Sequence, residues 1–249
     1  MATESRKNRS SKANRRELPA TLCIDIGGSG IKAMVLDHSG RPVTQRARCA
    51  TPRPPRPRAV VNAICDLLRQ QSRYDRVSVG FPGVVIDGVV HTAVNLHPAW
   101  IGFNLGKALR ARLRKPVRVA NDADIQGYGV IKGSGVELVL TLGTGLGTAL
   151  FVNGHLVPNL ELGHHPFRKG QTYEEQVGRA ALDEIGKARW NRRVRLMLDL
   201  LSRIINYRTV YLGGGNAKKL DAALPANVRI VSNEAGLLGG MALWRDTYN

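Results

Sequence analysis

From Thr21 to Ile26 the chain is apolar at most positions, with Asp25 as its one charge, and such a run bounded by glycines reads as a buried strand. Gly27-Gly28-Ser29-Gly30 supplies a tight turn, and Ile31 to Asp37 a returning strand. The plan recurs as a strand from Val136 to Leu142, the turn Gly143-Thr144-Gly145-Leu146-Gly147 and a strand from Thr148 to Val152. Two glycine-tipped hairpins, each opening one half of the chain, predict two lobes built from duplicated units with a cleft between them. Between the hairpins, Val60, Ile64, Leu67 and Leu68 have helical spacing, Val77 to Phe81 reads as a strand, and Leu105, Leu109 and Leu113 mark a second amphipathic helix. Further on, Val194, Met197, Leu198, Leu201, Ile204 and Ile205 form one stripe of a long helix, ahead of a strand from Thr209 to Leu212 and the turn Gly213-Gly214-Gly215. A last helix is expected from about Glu234. Strands alternating with helices indicate the α/β class. The Pro-Arg run from Thr51 to Arg58 is expected to be an extended surface loop, because proline donates no ladder hydrogen bond and keeps its predecessor out of helix.

Composition sharpens this picture at a few points. With 249 residues, 43% of them hydrophobic, the chain has enough apolar surface for a real core. Residues 1–18 are too polar to fold and are expected to be a disordered basic tail, followed by an N-terminal lobe over 19–120 and a C-terminal lobe over 121–249. No run approaches the roughly 18 apolar residues of a membrane span, and the tail lacks the apolar middle of a secretory signal, which places the protein in the cytoplasm. Cys23, Cys49 and Cys65 have neither the number nor the spacing of a disulfide framework or a zinc site. The net charge of +18 attracts polyanions. It gathers in the tail, at Arg41, Arg46, Arg48, Arg53, Arg56 and Arg58, and from Lys107 to Arg118; a solvated surface is the competing reading.

The candidate chemistry lies in and after the turns. Glycine lets backbone N–H groups approach phosphate oxygens, and Ser29 and Thr144 add hydroxyls, although either loop alone also fits an ordinary hairpin. Neither has the spacing of a P-loop or a dinucleotide-binding turn. Together, with Asp25 at the edge of the first, they suit a phosphate chain held from both lobes, with a magnesium ion near the Asp25 carboxylate. Asn121-Asp122-Ala123-Asp124 places two carboxylates where a strand gives way to a helix; either acid is able to cap that helix, and Asp122 is the candidate general base of a kinase. Glu161, His164 and Glu174 follow the second hairpin and supply the planar polar groups that sugar hydroxyls require.

In order along the chain, Asp25-Ile-Gly-Gly-Ser-Gly-Ile-Lys32, Phe81-Pro-Gly-Val-Val85, Asn95-Leu96 with Trp100, Asn121-Asp-Ala-Asp124, Thr141-Leu-Gly-Thr-Gly-Leu-Gly147 and Glu161-Leu-Gly-His164 resemble the ROK sugar kinases, above all their polyphosphate glucokinase and glucomannokinase branch. The resemblance implies a two-lobed sugar-kinase/actin-type fold with duplicated ribonuclease-H-like domains and an interlobe cleft. It implies phosphorylation of glucose, or mannose, at the 6-hydroxyl, with polyphosphate or ATP as donor and Mg2+ as cofactor. Carried over by position, Asp122 is the catalytic base, and Asn95, Asn121, Glu161, His164 and Glu174 bind the sugar. Asp25, Gly27, Gly28, Ser29, Gly30, Lys32, Thr141, Gly143, Thr144, Gly145, Gly147, Gly213, Gly214 and Gly215 surround the phosphoryl donor. The family's zinc-binding cysteines have no counterpart in Pro166 to Thr172, so zinc is not expected. Two other readings stand beside this one: a non-catalytic polyanion or nucleic-acid binder on a kinase-like fold, against which the intact Asp122 and sugar set weigh, and an ATP-dependent kinase of another hexose. A homodimer also fits, since the Val194 to Ile205 stripe suits either a core or an interface.

Overall fold

The computed structural model describes residues 18–245 apart from positions 70, 72, 95, 222, 223, 233 and 234. The basic tail up to position 17, Asn95 and the expected helix start at Glu234 therefore lie outside the described residues. Both glycine-tipped hairpins form. Strand β1 (Thr21–Ile26) pairs antiparallel with β2 (Gly30–Leu36), which pairs in turn with β3 (Ala47–Ala50). Helix α1 (Pro57–Leu68) leads to β4 (Arg76–Phe81), parallel to β1; a small arm, β5 (Val85–Ile86) and β6 (Val89–Val90), and helix α2 (Leu105–Leu113) lead to β7 (Val117–Asn121), parallel to β4. After helix α3 (Asp122–Tyr128) the plan repeats with β8 (Val136–Leu142), β9 (Leu146–Val152) and β10 (His155–Val157) as an antiparallel meander. A second arm, β11 (Pro166–Arg168) and β12 (Gln171–Thr172), precedes helices α4 (Tyr173–Val177) and α5 (Arg179–Ile205), and the parallel strands β13 (Thr209–Gly213) and β14 (Val228–Ile230) complete the sheet.

The two five-stranded sheets have orders β3-β2-β1-β4-β7 and β10-β9-β8-β13-β14, the same wiring twice: a three-strand meander, then two parallel strands beyond its first. Each sheet has its own core. Leu22, Ile24, Val60, Ile64, Phe81 and Trp100 belong to one, and Leu138, Leu140, Trp190, Val194, Met197 and Leu201 to the other. Beyond β14 the chain returns to the first sheet through α6 (Ala235–Leu238): Gly240 packs on Cys23 and Ser78, and the Ser78 hydroxyl donates to the Gly240 carbonyl at 2.5 Å while accepting from Trp244 Nε1 at 2.8 Å.

Two expectations change. The Pro-Arg segment is a strap rather than a free surface loop, because the first glycine turn and a core tryptophan hold it. Thr51 is buried and donates to the Gly27 carbonyl (2.6 Å), Trp100 Nε1 donates to the Pro55 carbonyl (2.8 Å), and Pro57 opens α1, where its missing N–H costs nothing. In α5, Ile204 leaves the buried stripe and is 61% exposed, since it lies at the stripe's edge in the final turn. The same helix is broken at Gly186 (φ 74°), a left-handed geometry that glycine accepts without strain. Among the described residues, no helix is long and apolar enough to cross a membrane.

Candidate active site

The parallel strands β1, β4 and β7 all end at one cleft of about 390 Å³, and the β8–β9 turn and the turn after β13 close it from the second lobe. Ligands of open α/β sheets bind at such carboxyl ends. The cleft is lined by Asp25, Gly27, Gly28, Ser29, Lys32, Asn121 and Asp122 of the first half, and by Thr141, Gly143, Thr144, Gly145, Gly147, Glu161, His164, Glu174, Gly214 and Gly215 of the second. Of the described sequence candidates, Gly30 and Gly213 alone are not in its lining; both are buried, with Gly30 accepting from Gly27 N across the first turn. The cleft also presents Gly80, Thr92, Val94, Ile125 and Gln126, which sequence reasoning missed. Gln126 had a legible signal, since it lies one helical turn after Asp122 on the same face of α3.

Asn121 organises the wall of the cleft around Asp122. As the last residue of β7 it caps α3, its Oδ1 accepting from the backbone N–H of Ala123 (2.7 Å) and Asp124 (3.4 Å). Its Nδ2 donates to the Gly83 carbonyl and to Glu161 Oε1, both at 3.2 Å. The cap that either acid of the motif was able to supply is therefore made by the amide beside them, which leaves Asp122 in the cleft wall. Enclosure between the lobes pushes the Asp122 carboxyl up to about 7, the negative charges of Asp25 and Glu161 adding to the rise and the Ala123 amide opposing it. Asp124 is fully buried, and among the described residues neither of its carboxyl oxygens has a hydrogen-bond partner. Burial, then the charges of Glu161 and Asp122, hold its pKa well above the usual carboxylate range.

Glu161 ties the polar wall together, with its Oε2 3.6 Å from His164 Nε2; burial raises its pKa, against the His164 imidazole. Glu174 lies in the first turn of α4, behind a Thr172–Glu175 capping box, and accepts from Leu146 N at 3.2 Å, inside the second glycine turn. That contact explains Gly145, where any Cβ would overlap the Glu174 carboxylate. The arm that carries Glu174 is held by stacked rings, Phe167 on Tyr173 at 4.6 Å and His165 on Tyr173 at 5.9 Å. The third turn is fastened to the second: Asn216 Nδ2 donates to the Gly143 carbonyl (2.7 Å), and Gly214 (φ 86°) lies against the Leu142 backbone.

The end of the cleft at the first glycine turn carries an ion pair. Asp25 and Lys32 face each other across β1 and β2, Nζ to Oδ2 at 2.8 Å. Among the described residues no group of three or more His, Cys, Asp or Glu is arranged to enclose a metal. The single carboxylate of Asp25 still fits Mg2+, which characteristically takes one or two carboxylates and draws its other ligands from substrate phosphates and water. The whole arrangement places a carboxylate with raised proton affinity between a polar amide-carboxylate-imidazole wall and two glycine turns.

Known proteins share this architecture. The chain is 34% identical over 242 residues to the polyphosphate glucokinase of Mycobacterium tuberculosis (strain CDC 1551 / Oshkosh), covering 90% of the chain and 91% of that protein. The crystal structure of the inorganic polyphosphate/ATP-glucomannokinase from Arthrobacter sp. strain KM superposes with a TM-score of 0.82 at 32% identity, covering 91% of this chain and 99% of that one. A ROK family glucokinase from Streptomyces griseus, solved with glucose and AMPPNP, shares the fold at 20% identity and a TM-score of 0.73, covering 90% of this chain and 98% of its own. The molecule thus has the two-lobed α/β fold of these sugar kinases. The model of the ROK family matches residues 21–175, and with the full-length relatives this establishes that the chain belongs to the ROK family.

Proposed function

We propose that the protein is a phosphotransferase that moves a phosphoryl group from inorganic polyphosphate, ATP or both to the 6-hydroxyl of glucose, with mannose as a second acceptor. The observation that carries this reading is the position of Asp122 at the junction of the polar wall and the two glycine turns, with its proton affinity raised to near neutrality. The names of the relatives support the donor and acceptor classes. In this reading Asn121, Glu161, His164 and Glu174 hold the hexose hydroxyls, with Asn95 assigned to the same role by its motif. The 6-hydroxyl oxygen attacks the terminal phosphorus as its proton passes to Asp122, and the bond from phosphorus to the donor's bridging oxygen breaks. Backbone N–H groups of the Gly27–Gly30 and Thr141–Gly147 turns, with the Ser29 and Thr144 hydroxyls, stabilise the charge on the transferring oxygens. Gly214 and Gly215 form the outer wall for the rest of the donor, with Gly213 buried behind them. Asp25 would hold Mg2+ beside the donor phosphates, where the ion neutralises phosphate charge.

The same reading divides the molecule between Ala120 and Asn121, with the lobes closing over both substrates. The cytoplasm, where hexose and polyphosphate or ATP meet, is the compartment it requires. A donor-by-acceptor screen tests the assignment: polyphosphate, ATP and GTP against glucose, mannose, fructose and N-acetylglucosamine. Turnover of glucose with polyphosphate or ATP is expected; turnover confined to an amino sugar, or none with any pair, would overturn it.

A further inference from the structure

Gln126 lines the cleft from α3, one helical turn beyond Asp122 and on the same face. Its Nε2 is buried and, among the described residues, has no hydrogen-bond partner. Buried side-chain donors are nearly always paired, because an N–H taken from water without a new acceptor is costly. The amide packs on Gly213, where any Cβ would overlap Nε2. Gly213 ends β13, pairs with Thr141 at the root of the second glycine turn, and leads directly into Gly214 and Gly215 of the third. The Gln126 amide is therefore set against the strand end that carries the two turns of the second lobe. The polar wall on the other hand closes on itself, Asn121 bonding to Glu161 and Glu161 facing His164.

We infer that Gln126 is a donor-binding residue whose amide N–H group hydrogen-bonds the phosphate next to the one transferred, an inference that rests on the kinase reading and adds a side chain to its donor side. The last torsion of a glutamine side chain is broad, so the amide turns from the Gly213 surface into the cleft at little cost. Gly213, with no side chain, leaves it room to do so. Asp122 takes the hydroxyl proton on one side of the transferred phosphorus. Gln126 is one turn further along α3, a rise of roughly 5.4 Å, which is the scale of one phosphoryl group with its bridging oxygen. As the bond from phosphorus to the bridging oxygen breaks, negative charge grows on the phosphate left behind, and a fixed amide donor there is worth more in the transition state than in the ground state. ATP and inorganic polyphosphate share this anhydride-linked phosphate.

Binding is read first, without turnover. The full chain, with Mg2+ and no hexose, is titrated at constant ionic strength with tripolyphosphate and with ATP while its thermal unfolding midpoint is followed. The midpoint should rise with at least one of them, and which one identifies the donor. In Gln126→Met, which keeps the length and loses the N–H, the apparent Kd for that donor should weaken about tenfold. Steady-state kinetics should show the same loss in kcat/KM for the donor, a larger one in Gln126→Glu, whose charge repels phosphate, and an unchanged KM for glucose in Gln126→Met. Without ligand, Gln126→Met should unfold at or above the wild-type midpoint, because it removes an unpaired buried donor. A brace between α3 and β13, or a bond to a trapped water, predicts a lower one. An equal rise in the wild type and Gln126→Met, no rise with either donor in the wild type, or a lowered ligand-free midpoint together with weakened glucose binding would overturn the inference. Donor binding that depends on Gln126 in a protein without kinase activity would leave the inference standing and remove the kinase reading; turnover with donor binding indifferent to Gln126 would do the opposite.

Discussion

At Asp122, enclosure that costs stability also raises the proton affinity that its proposed role as a base requires. A carboxyl with pKa near 7 is protonated in the folded state over a range where the unfolded chain is ionised, so stability falls as pH rises from about 4 toward 7. Asp122→Asn removes that penalty. It should stabilise the protein by on the order of 1–3 kcal/mol at pH 8 and by little at pH 4, measured by urea unfolding. In the proposed role the same carboxyl should set the acid limb of kcat/KM: activity should fall as pH drops through about 7, since only the ionised form accepts the hydroxyl proton. A limb nearer pH 4 would show that another group limits the reaction. In the polar wall, Glu161→Gln and His164→Ala should each cost about 1–3 kcal/mol in kcat/KM for the sugar through lost hydroxyl contacts, and unchanged kinetics would make them structural. Asn121 shows what the sequence concealed at this scale. Its motif was visible, with Asp122 and Asp124 as the expected caps, but the cap is made by Asn121, which only the fold fixes.

Among the elements, the glycine hairpins were legible because a strand-turn-strand pattern is local: Val136–Leu142 forms over the residues its pattern indicates, and the common sheet order bears out the duplication. What joins the turns to the polar wall was not legible, because the contacts are distant in sequence. Leu146 meets Glu174 across 28 positions, and Gly143 meets Asn216 across 73. That brace yields a test. In Gly145→Ala the new methyl displaces the Glu174 carboxylate, so one substitution should weaken use of both hexose and donor, by about tenfold or more in each kcat/KM, at a stability cost of about 1–3 kcal/mol. A loss for the donor alone would mean that Glu174 is not shared between the two substrates. The Thr51–Arg58 strap was misread for a related reason. Proline rules out regular pairing, but it does not say that Thr51 and Pro55 will find partners in the first turn and at Trp100.

For the whole molecule, the +18 charge was plain in the sequence, while its placement needed the fold. Arg53, Arg56 and Arg58 are exposed on the strap beside the first turn, where Arg53 reaches the Gly28 carbonyl at 3.4 Å; the Lys107 to Arg118 stretch instead borders a second cavity, along the edge of β7. The strap is therefore the candidate track for a long polyanion. Neutralising all three arginines should raise the KM for long polyphosphate several-fold and leave that for ATP within about twofold, and salt should weaken polyphosphate use more steeply than ATP use. Equal losses for both donors would reduce the strap's charge to a solvated surface. The C-terminal return to the first sheet was hidden too, since it depends on Gly240 fitting against Cys23 and Ser78 from far along the chain. The central claim, that Asp122 drives phosphoryl transfer to a hexose in this cleft, is tested most directly by following glucose 6-phosphate formation from glucose with polyphosphate, and with ATP, in the wild-type protein and in Asp122→Asn at matched sugar occupancy. The account predicts product with at least one donor in the wild type and a loss of about a hundredfold or more in kcat in the variant, with sugar binding retained; near-wild-type turnover in Asp122→Asn would contradict it.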